Sequence, residues 1–183
     1  MIEVRIHGRG GQGAVIASKV LAAAVFREGR YVQSFPAFGV ERRGAPVAAF
    51  TRIGDEPIRI RCQIYHPDHV MVLDPSLMDV VDVTAGLKKG GWILINSAQP
   101  PSAFSLPPEF RVATVDANRI AFKYRLGPRT APIVNTAILG AFAKVTGIAG
   151  LEAVIEAVRD SVPVKIDDNV AATREAYEAV NVA

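Results

Sequence analysis

A glycine-rich turn between two apolar runs constrains this chain more than any other feature. Residues 8–13 read Gly8-Arg9-Gly10-Gly11-Gln12-Gly13. Upstream, residues 1–7 alternate apolar Ile2, Val4 and Ile6 with polar neighbours, the period-two pattern of a strand. Downstream, residues 14–27 are rich in alanine, contain no Gly or Pro, and are apolar almost all round, which predicts a largely buried helix. Strand, turn and helix make the first half of a βαβ unit. The turn needs positive φ and close backbone approach, both of which glycine permits. The helix start behind it offers unpaired N–H groups at the positive end of the helix dipole. A phosphate group suits such a place.

Gly8, Gly10 and Gly13 have the G-x-G-x-x-G spacing, in the strand-then-helix setting that the pattern requires. A dinucleotide site also expects an Asp or Glu about 20 residues on, at the end of the second strand, to hold the ribose hydroxyls. The second-strand candidate, residues 30–34, ends instead in Gln33 and Ser34, which argues against NAD. From the residues alone three readings stand: a phosphate site, an adenine-dinucleotide module, and a tight turn whose glycines only let helix and strand pack closely.

The remaining pattern alternates strands and helices. Residues 35–44 carry aromatics, paired arginines and glycines without any period, and read as a functional loop. Residues 45–53 predict a third strand, and the turn at 54–57 leads to an alternating run, 58–61, which suggests a hairpin. Residues 70–73 are a short, wholly apolar run of the kind buried on both faces of a parallel sheet, 92–96 is the next buried strand, and 111–115 follows as a strand. Asp74 stands at the end of one such run, either as a site residue on the ligand-binding edge or as the cap of a helix over 75–83. Asp116 can cap a helix over 117–126, and Asn135 another over 136–146. Further helices are expected over 151–162 and 168–180. The expected architecture is α/β, a three-layer Rossmann-like sandwich with a mostly parallel, mixed sheet in a single domain spanning 1–183.

Much chemistry is excluded by residue type. Cys62 is the only cysteine, so this chain alone builds no disulfide, iron–sulfur cluster or thiolate zinc site. His66 and His69 share a proline-containing turn with no third ligand evident, so no metal site is expected. No Gly-x-Ser-x-Gly elbow occurs, and Ala14 stands where a P-loop would have its lysine. No catalytic residue is expected. The net charge of +3 is mild, and aromatics at 7% do not interleave with the arginines at 42, 43, 52, 59 and 61 as nucleic-acid platforms would. No apolar run reaches the roughly 18 residues of a membrane span, and no secretory signal is apparent, so a soluble cytoplasmic protein without membrane or nucleic-acid partners is expected. A scaffold with a phosphate-friendly end and no catalytic apparatus of its own suggests a subunit.

The glycine turn with its alanine-rich helix, the loop Phe38-Gly39-Val40-Glu41-Arg42-Arg43-Gly44-Ala45-Pro46-Val47, and the stretch Val72-Leu73-Asp74-Pro75-Ser76-Leu77 together resemble the gamma subunit of 2-oxoacid:ferredoxin oxidoreductases. The match extends through Asn135-Thr136-Ala137 and Asn169-Val170-Ala171-Ala172, so it covers essentially the whole chain. The resemblance implies a multisubunit enzyme that oxidatively decarboxylates a 2-oxoacid to acyl-coenzyme A, CO2 and reduced ferredoxin. Thiamine diphosphate and Mg would lie on alpha and beta subunits. The [4Fe–4S] clusters would lie on beta and on a ferredoxin-like delta subunit, with an external ferredoxin as acceptor. This chain would serve coenzyme A binding and assembly, without turnover alone. Gly8, Arg9, Gly10, Gly11, Gln12 and Gly13 would form the cofactor-binding turn, the backbone N–H groups of Gly10 to Gly13 holding the pyrophosphate, with charge from Arg9 or Lys19. Arg42 and Arg43 would face the thiamine subunits, as ligand contacts or as an intersubunit surface. The Glu-Arg-Arg-Gly-Ala-Pro loop is closer to pyruvate and branched-chain members than to 2-oxoglutarate members, so pyruvate is favoured. The competing expectations are a stand-alone nucleotide-binding regulatory module and a purely structural subunit.

Overall fold

The computed structural model describes residues 1–37 and 43–183. In chain order the elements are β1 (Ile2–Arg9), α1 (Ala14–Arg27), β2 (Tyr31–Pro36), β3 (Pro46–Gly54), β4 (His69–Val72), β5 (Trp92–Asn96), β6 (Arg111–Val115), α2 (Ala117–Lys123), α3 (Ala137–Thr146), α4 (Leu151–Ser161), α5 (Ile166–Ala179) and β7 (Asn181–Val182). One sheet holds all these strands in the order β2-β3-β1-β4-β5-β6-β7. β1, β4, β5 and β6 are mutually parallel, and β3 runs antiparallel to β1. β2 is antiparallel to β3, hence parallel to β1, and β7 closes the far edge antiparallel to β6. The sheet is mixed and mostly parallel, as expected.

Its two faces are covered differently. Val4 and Ile6 of β1 point into one large cluster with Ala17, Leu21 and Val25 of α1 and with the buried sides of α2 to α5. The opposite face carries a smaller cluster, Val70, Val72, Ile93 and Ile95, under Val83, Leu87, Met78 and Phe104 from 3₁₀ turns and loops. β5 is buried at every position, which explains its apolar run Trp92 to Ile95, and the buried Asn96 at its end donates to the Leu73 carbonyl at 2.9 Å. β1 departs from a half-wet strand. Its alternate residues Arg5 and His7 are also buried, because the Arg5 guanidinium reaches across to the carbonyls of Val83 and Ala85 at 3.0 and 2.7 Å.

Several sequence expectations need correction. Residues 58–61 form no strand; the antiparallel hairpin lies instead between β2 and β3. The helix expected over 75–83 is a 3₁₀ turn, Pro75–Asp79. Just beyond it the Asp82 carboxylate accepts from the Thr84 amide and hydroxyl at 2.9 and 2.6 Å, and this local turn competes with helix continuation. α2 stops at Lys123, three residues early, because Arg125 turns the chain with φ 55°. Asn135 does not cap α3; Thr136 occupies that position, without a side-chain cap. Asn135 is turned towards the glycine turn instead.

Candidate functional site

The strand order reverses direction between β1 and β4, and in open α/β sheets ligands bind in the crevice outside the carboxyl ends of the strands at such a point. There the protein has a cleft of about 380 Å³, walled by Gly11, Gly13, Asp74, Asn118, Pro132 and Asn135 among others. The glycine turn follows β1, Asp74 follows β4, and Asn135 precedes α3. Asn118 lies in α2, so the cleft draws on four separate regions of sequence.

One flank is a closed network. Arg9 Nε lies 3.2 Å from Asp74 Oδ2, its NH1 donates to the Gly44 carbonyl at 3.1 Å and its NH2 to Ser76 Oγ at 2.8 Å. Gln12 Nε2 donates to the same Asp74 oxygen at 3.0 Å, while Gln12 Oε1 accepts from the Arg9 amide at 2.7 Å. The Ser76 amide and hydroxyl hold the other Asp74 oxygen at 3.0 and 2.6 Å. Partial burial would raise the Asp74 pKa, but the bonds from Ser76 and Gln12 and the charge of Arg9 together bring it below the ordinary carboxylate value. Asp74 is thus both the cap expected from sequence and a member of the cleft wall. Arg9 and Gln12 brace the turn.

The other flank is open. Gly13 occupies the cap position of α1 with φ 82°, and no side chain caps the helix. Gly11 has φ 96°. The Gly10 amide donates to the Ala45 carbonyl and the Gln12 amide to the Arg9 carbonyl, both at 2.9 Å. Among the described residues the amides of Gly11, Gly13, Ala14, Val15 and Ile16 have no such partner, which leaves a run of donors at the positive end of the helix. Asn135 faces this run. Its side chain occupies the space a Cβ at position 13 would need, so only glycine fits there. Asn135 is 5% exposed, and its buried Oδ1 has no hydrogen-bond partner among the described residues. A buried amide oxygen without a partner costs free energy that a bound donor recovers.

The other predicted residues fall as follows. Gly8 ends packed against Ala14 and Leu73, where a side chain would crowd. Lys19 is exposed on α1, about 4.5 Å along the axis from the cleft residue Ile16. Arg43 is exposed and bridges to Gly10, and the Gly44 amide donates to the Gly10 carbonyl at 3.0 Å, so the arginine-bearing loop returns directly onto the glycine turn. Arg42 lies outside the described residues. Sequence alone singles out neither Asn135 nor Asn118 as a site residue: Asn135 reads as the cap of the helix that follows it, and Asn118, inside α2, carries no signal. His7, immediately ahead of the turn, accepts from Arg5 Nε at 2.9 Å and is neutral; burial first and the Arg5 charge second lower its pKa to about 4, with Asp82 opposing. Among the described residues no three His, Cys, Asp or Glu side chains group closely enough for a metal ion.

Residues 3–179 match the pyruvate ferredoxin/flavodoxin oxidoreductase family. The chain belongs to this family. It is 56% identical to the pyruvate/ketoisovalerate oxidoreductases common subunit gamma of Thermococcus litoralis, over 97% of this chain and 96% of that one. It is 54% identical to the pyruvate synthase subunit PorC of Methanothermobacter marburgensis, over 97% of each. The crystal structure of a pyruvate oxidoreductase subunit from Thermotoga maritima superposes with a TM-score of 0.83 at 37% identity, covering 100% of this chain and 98% of that one. The gamma-subunit resemblance drawn from the motifs is borne out, and so is the α/β sandwich. These relatives are named as subunits of pyruvate oxidoreductases or pyruvate synthases.

Proposed function

We propose that the chain is the gamma subunit of a multisubunit 2-oxoacid:ferredoxin oxidoreductase, with pyruvate the favoured substrate, and that it binds coenzyme A in the cleft between the glycine turn and Asn135. The observation that carries the coenzyme A assignment is the open flank: unpartnered amides at an uncapped helix start, facing a buried, unpartnered Asn135. Coenzyme A offers a pyrophosphate to the amides and supplies the thiol that accepts the acyl group. Gly11, Gly13 and the first turn of α1 hold the pyrophosphate, Asn135 Oδ1 accepts from a ligand hydroxyl or amide, and Arg9 and Gln12 keep the turn in shape. Lys19 and Arg43 add charge at the rim.

Thiamine diphosphate with Mg and the [4Fe–4S] clusters belong to alpha, beta and delta partners, with an external ferredoxin taking the electrons. The single cysteine of this chain supports that division. Arg42 and Arg43 face the thiamine subunits. No helix among the described residues is long and apolar enough to cross a membrane, which supports a cytoplasmic location. The dinucleotide module is disfavoured by the strand order. β3 intervenes between β2 and β1, so an acid at the end of β2 would stand about 10 Å aside from β1.

Calorimetric titration tests the reading, with coenzyme A, desulfo-coenzyme A and NAD added to the chain alone and to the chain assembled with its partners. Binding of both coenzyme A forms but not NAD is expected. Saturation only in the assembly makes the site a shared one, and no binding in either leaves an assembly subunit.

A further inference from the structure

The two edges of the sheet are built differently. β7 closes one with only two residues, Asn181–Val182, whereas β2 leaves six, Tyr31–Pro36, along the other. Edge strands are commonly protected by charged side chains, bulges or proline. β2 pairs in unbroken register and reads Tyr-Val-Gln-Ser-Phe-Pro, with no charge and no proline before its last residue. Its free backbone groups follow from the ladder. The Ala37 amide donates to the Ala48 carbonyl at 2.8 Å, and in the β2–β3 register this makes Gln33 and Phe35 the residues that bond β3. The amides and carbonyls of Val32 and Ser34 therefore point outward, and they have no backbone partner among the described residues.

The helix above this edge is open too. α1 returns the chain from the end of β1 to the start of β2, which is parallel to β1, so it runs against β2. It lies over β2 and β3 with α4 on its inner flank. Ile16, Lys19, Ala23 and Phe26 share its solvent face at helical spacing, with Ile16 48% and Phe26 66% exposed. This stripe is symmetric, for Ile16 and Phe26, like Lys19 and Ala23, are centred on Leu21.

The edge is symmetric as well. When β2 pairs antiparallel with a second β2 about Gln33, Val32 of each copy meets Ser34 of the other, and every outward amide of the two residues finds a carbonyl. Pro36, with no N–H, ends the ladder at Arg30 of the other copy. The two centres coincide. Ser18 Oγ lies 2.9 Å from Ser34 Oγ, so α1 crosses Ser34 at its residue 18. One strand residue spans about 3.3 Å, or roughly two helical residues, so an axis through Gln33 crosses α1 near Val20. Ile16 then falls opposite Phe26 of the second copy, and Lys19 opposite Ala23, so no like charges meet.

We propose that the β2 edge docks a second copy of this chain, pairing antiparallel about Gln33 into one continuous sheet, with the two α1 stripes packed across the two-fold axis.

The register supplies the test. Directly opposed residues between hydrogen-bonded pairs have Cα atoms about 4.5 Å apart, within disulfide reach, so Gln33→Cys in a Cys62→Ser background should link two chains under mild oxidation. Tyr31→Cys in the same background should not, because its two copies stand about 13 Å apart along the strands. In sedimentation the unaltered chain should reach twice its 19.6 kDa. Phe26→Glu alters an exposed side chain, so Tm should hold while self-association weakens by about tenfold or more. A single-chain mass at every concentration, equal linking at positions 31 and 33, or self-association unchanged by Phe26→Glu overturns the proposal. So does loss of the position-33 link in the assembled enzyme, which would give the edge to a different subunit.

Discussion

The two flanks of the glycine turn are built from adjacent residues yet differ in how their polar groups are satisfied. On one side Arg9, Gln12, Asp74, Ser76 and Gly44 saturate one another. On the other, the Gly11 and Gly13 amides are unpaired among the described residues, and beside them Asn135 lines the cleft with its buried Oδ1 unpaired. The same sheet edge shows the contrast again at its helix starts. Asp74 and Asp116 cap theirs with side chains, whereas α1 begins uncapped at Gly13. Saturated polar groups stabilise a scaffold, and unsaturated ones beside a cavity are poised for a ligand. The arginine named from sequence as a phosphate ligand, Arg9, belongs to the first class; the asparagine read as a cap belongs to the second.

The sharpest way to break this division is to fill the space at position 13. Gly13→Val drives a side chain into Asn135 at a residue with φ 82°. Coenzyme A affinity should fall by more than ~100-fold, with stability lowered by about 1–3 kcal/mol from the strained backbone and displaced amide. Gly11→Ala is the control. It shares positive φ, but its Cβ meets nothing within 4 Å, so it should cost only about 1–2 kcal/mol of strain and spare most of the affinity. Equal losses of affinity in the two variants would show that the turn's conformation matters and Asn135 does not.

Next in size is Asn135→Asp. A carboxylate facing the helix start repels the pyrophosphate, and affinity should drop by about 30-fold or more. Asn135→Ala separates ligand from scaffold. Its Oδ1 has no partner to lose, so the free protein should change by less than about 1 kcal/mol while affinity still falls several-fold. A thermal melt beside a titration reads both. On the braced flank the signature reverses. Asp74→Asn weakens the pair with Arg9 and the bonds from Ser76, and should cost about 1–3 kcal/mol of stability before it costs affinity. A double-mutant cycle with Gln12→Ala should show coupling, because both bonds share one Asp74 oxygen.

Acid separates scaffold from site in another way. Asp74 has its folded pKa lowered, so its contribution is fully present above the unfolded value of about 3.9 and is lost only as pH falls below it. His7 has a folded pKa lowered to about 4 from the ordinary histidine value of about 6.5, so the unfolded chain takes up its proton first and stability falls as pH drops through that window. For His7 the full loss is on the order of 3 kcal/mol, and His69, lowered to about 4 chiefly by burial, adds to the trend. Urea unfolding at pH 7, 6 and 5 should show this slope. His7→Gln should flatten it, and a slope unchanged by that substitution would mean His7 is not held neutral.

What was legible in the sequence followed from local rules. The apolar run of β5 and the Gly-free run of α1 need no tertiary information, and their limits were read correctly. The hairpin was misplaced because residues 58–61 alternate like a strand, while β3 in fact pairs with β2, which ends at Pro36. The glycine turn and the uncapped helix start behind it were legible. The turn's division into braced and open flanks was not, since Arg9 meets Asp74 and Gly13 meets Asn135 only after long stretches of chain are brought together. Spacing could not distinguish an arginine already paired from one left free. The signal that existed was Gly13 itself, whose need for positive φ and for an approaching side chain are separate reasons for the same residue.

The smallest expected effect tests where the open flank ends. Lys19 is exposed one turn along α1 from Ile16, outside the enclosed part of the cleft. An exposed ammonium contributes little because water and salt screen it, so Lys19→Ala should weaken coenzyme A by only about two- to fivefold at low salt, with the difference vanishing near 0.5 M salt. Thermal stability should not change, because no hydrogen bond or ion pair of the Lys19 side chain occurs among the described residues. A larger loss that persists at high salt would place Lys19 in direct, desolvated contact with a phosphate and extend the open flank a full turn up the helix. No loss at all would confine the anion to the amides of Gly11, Gly13 and the first turn, and make the helix start rather than side-chain charge the element that selects it.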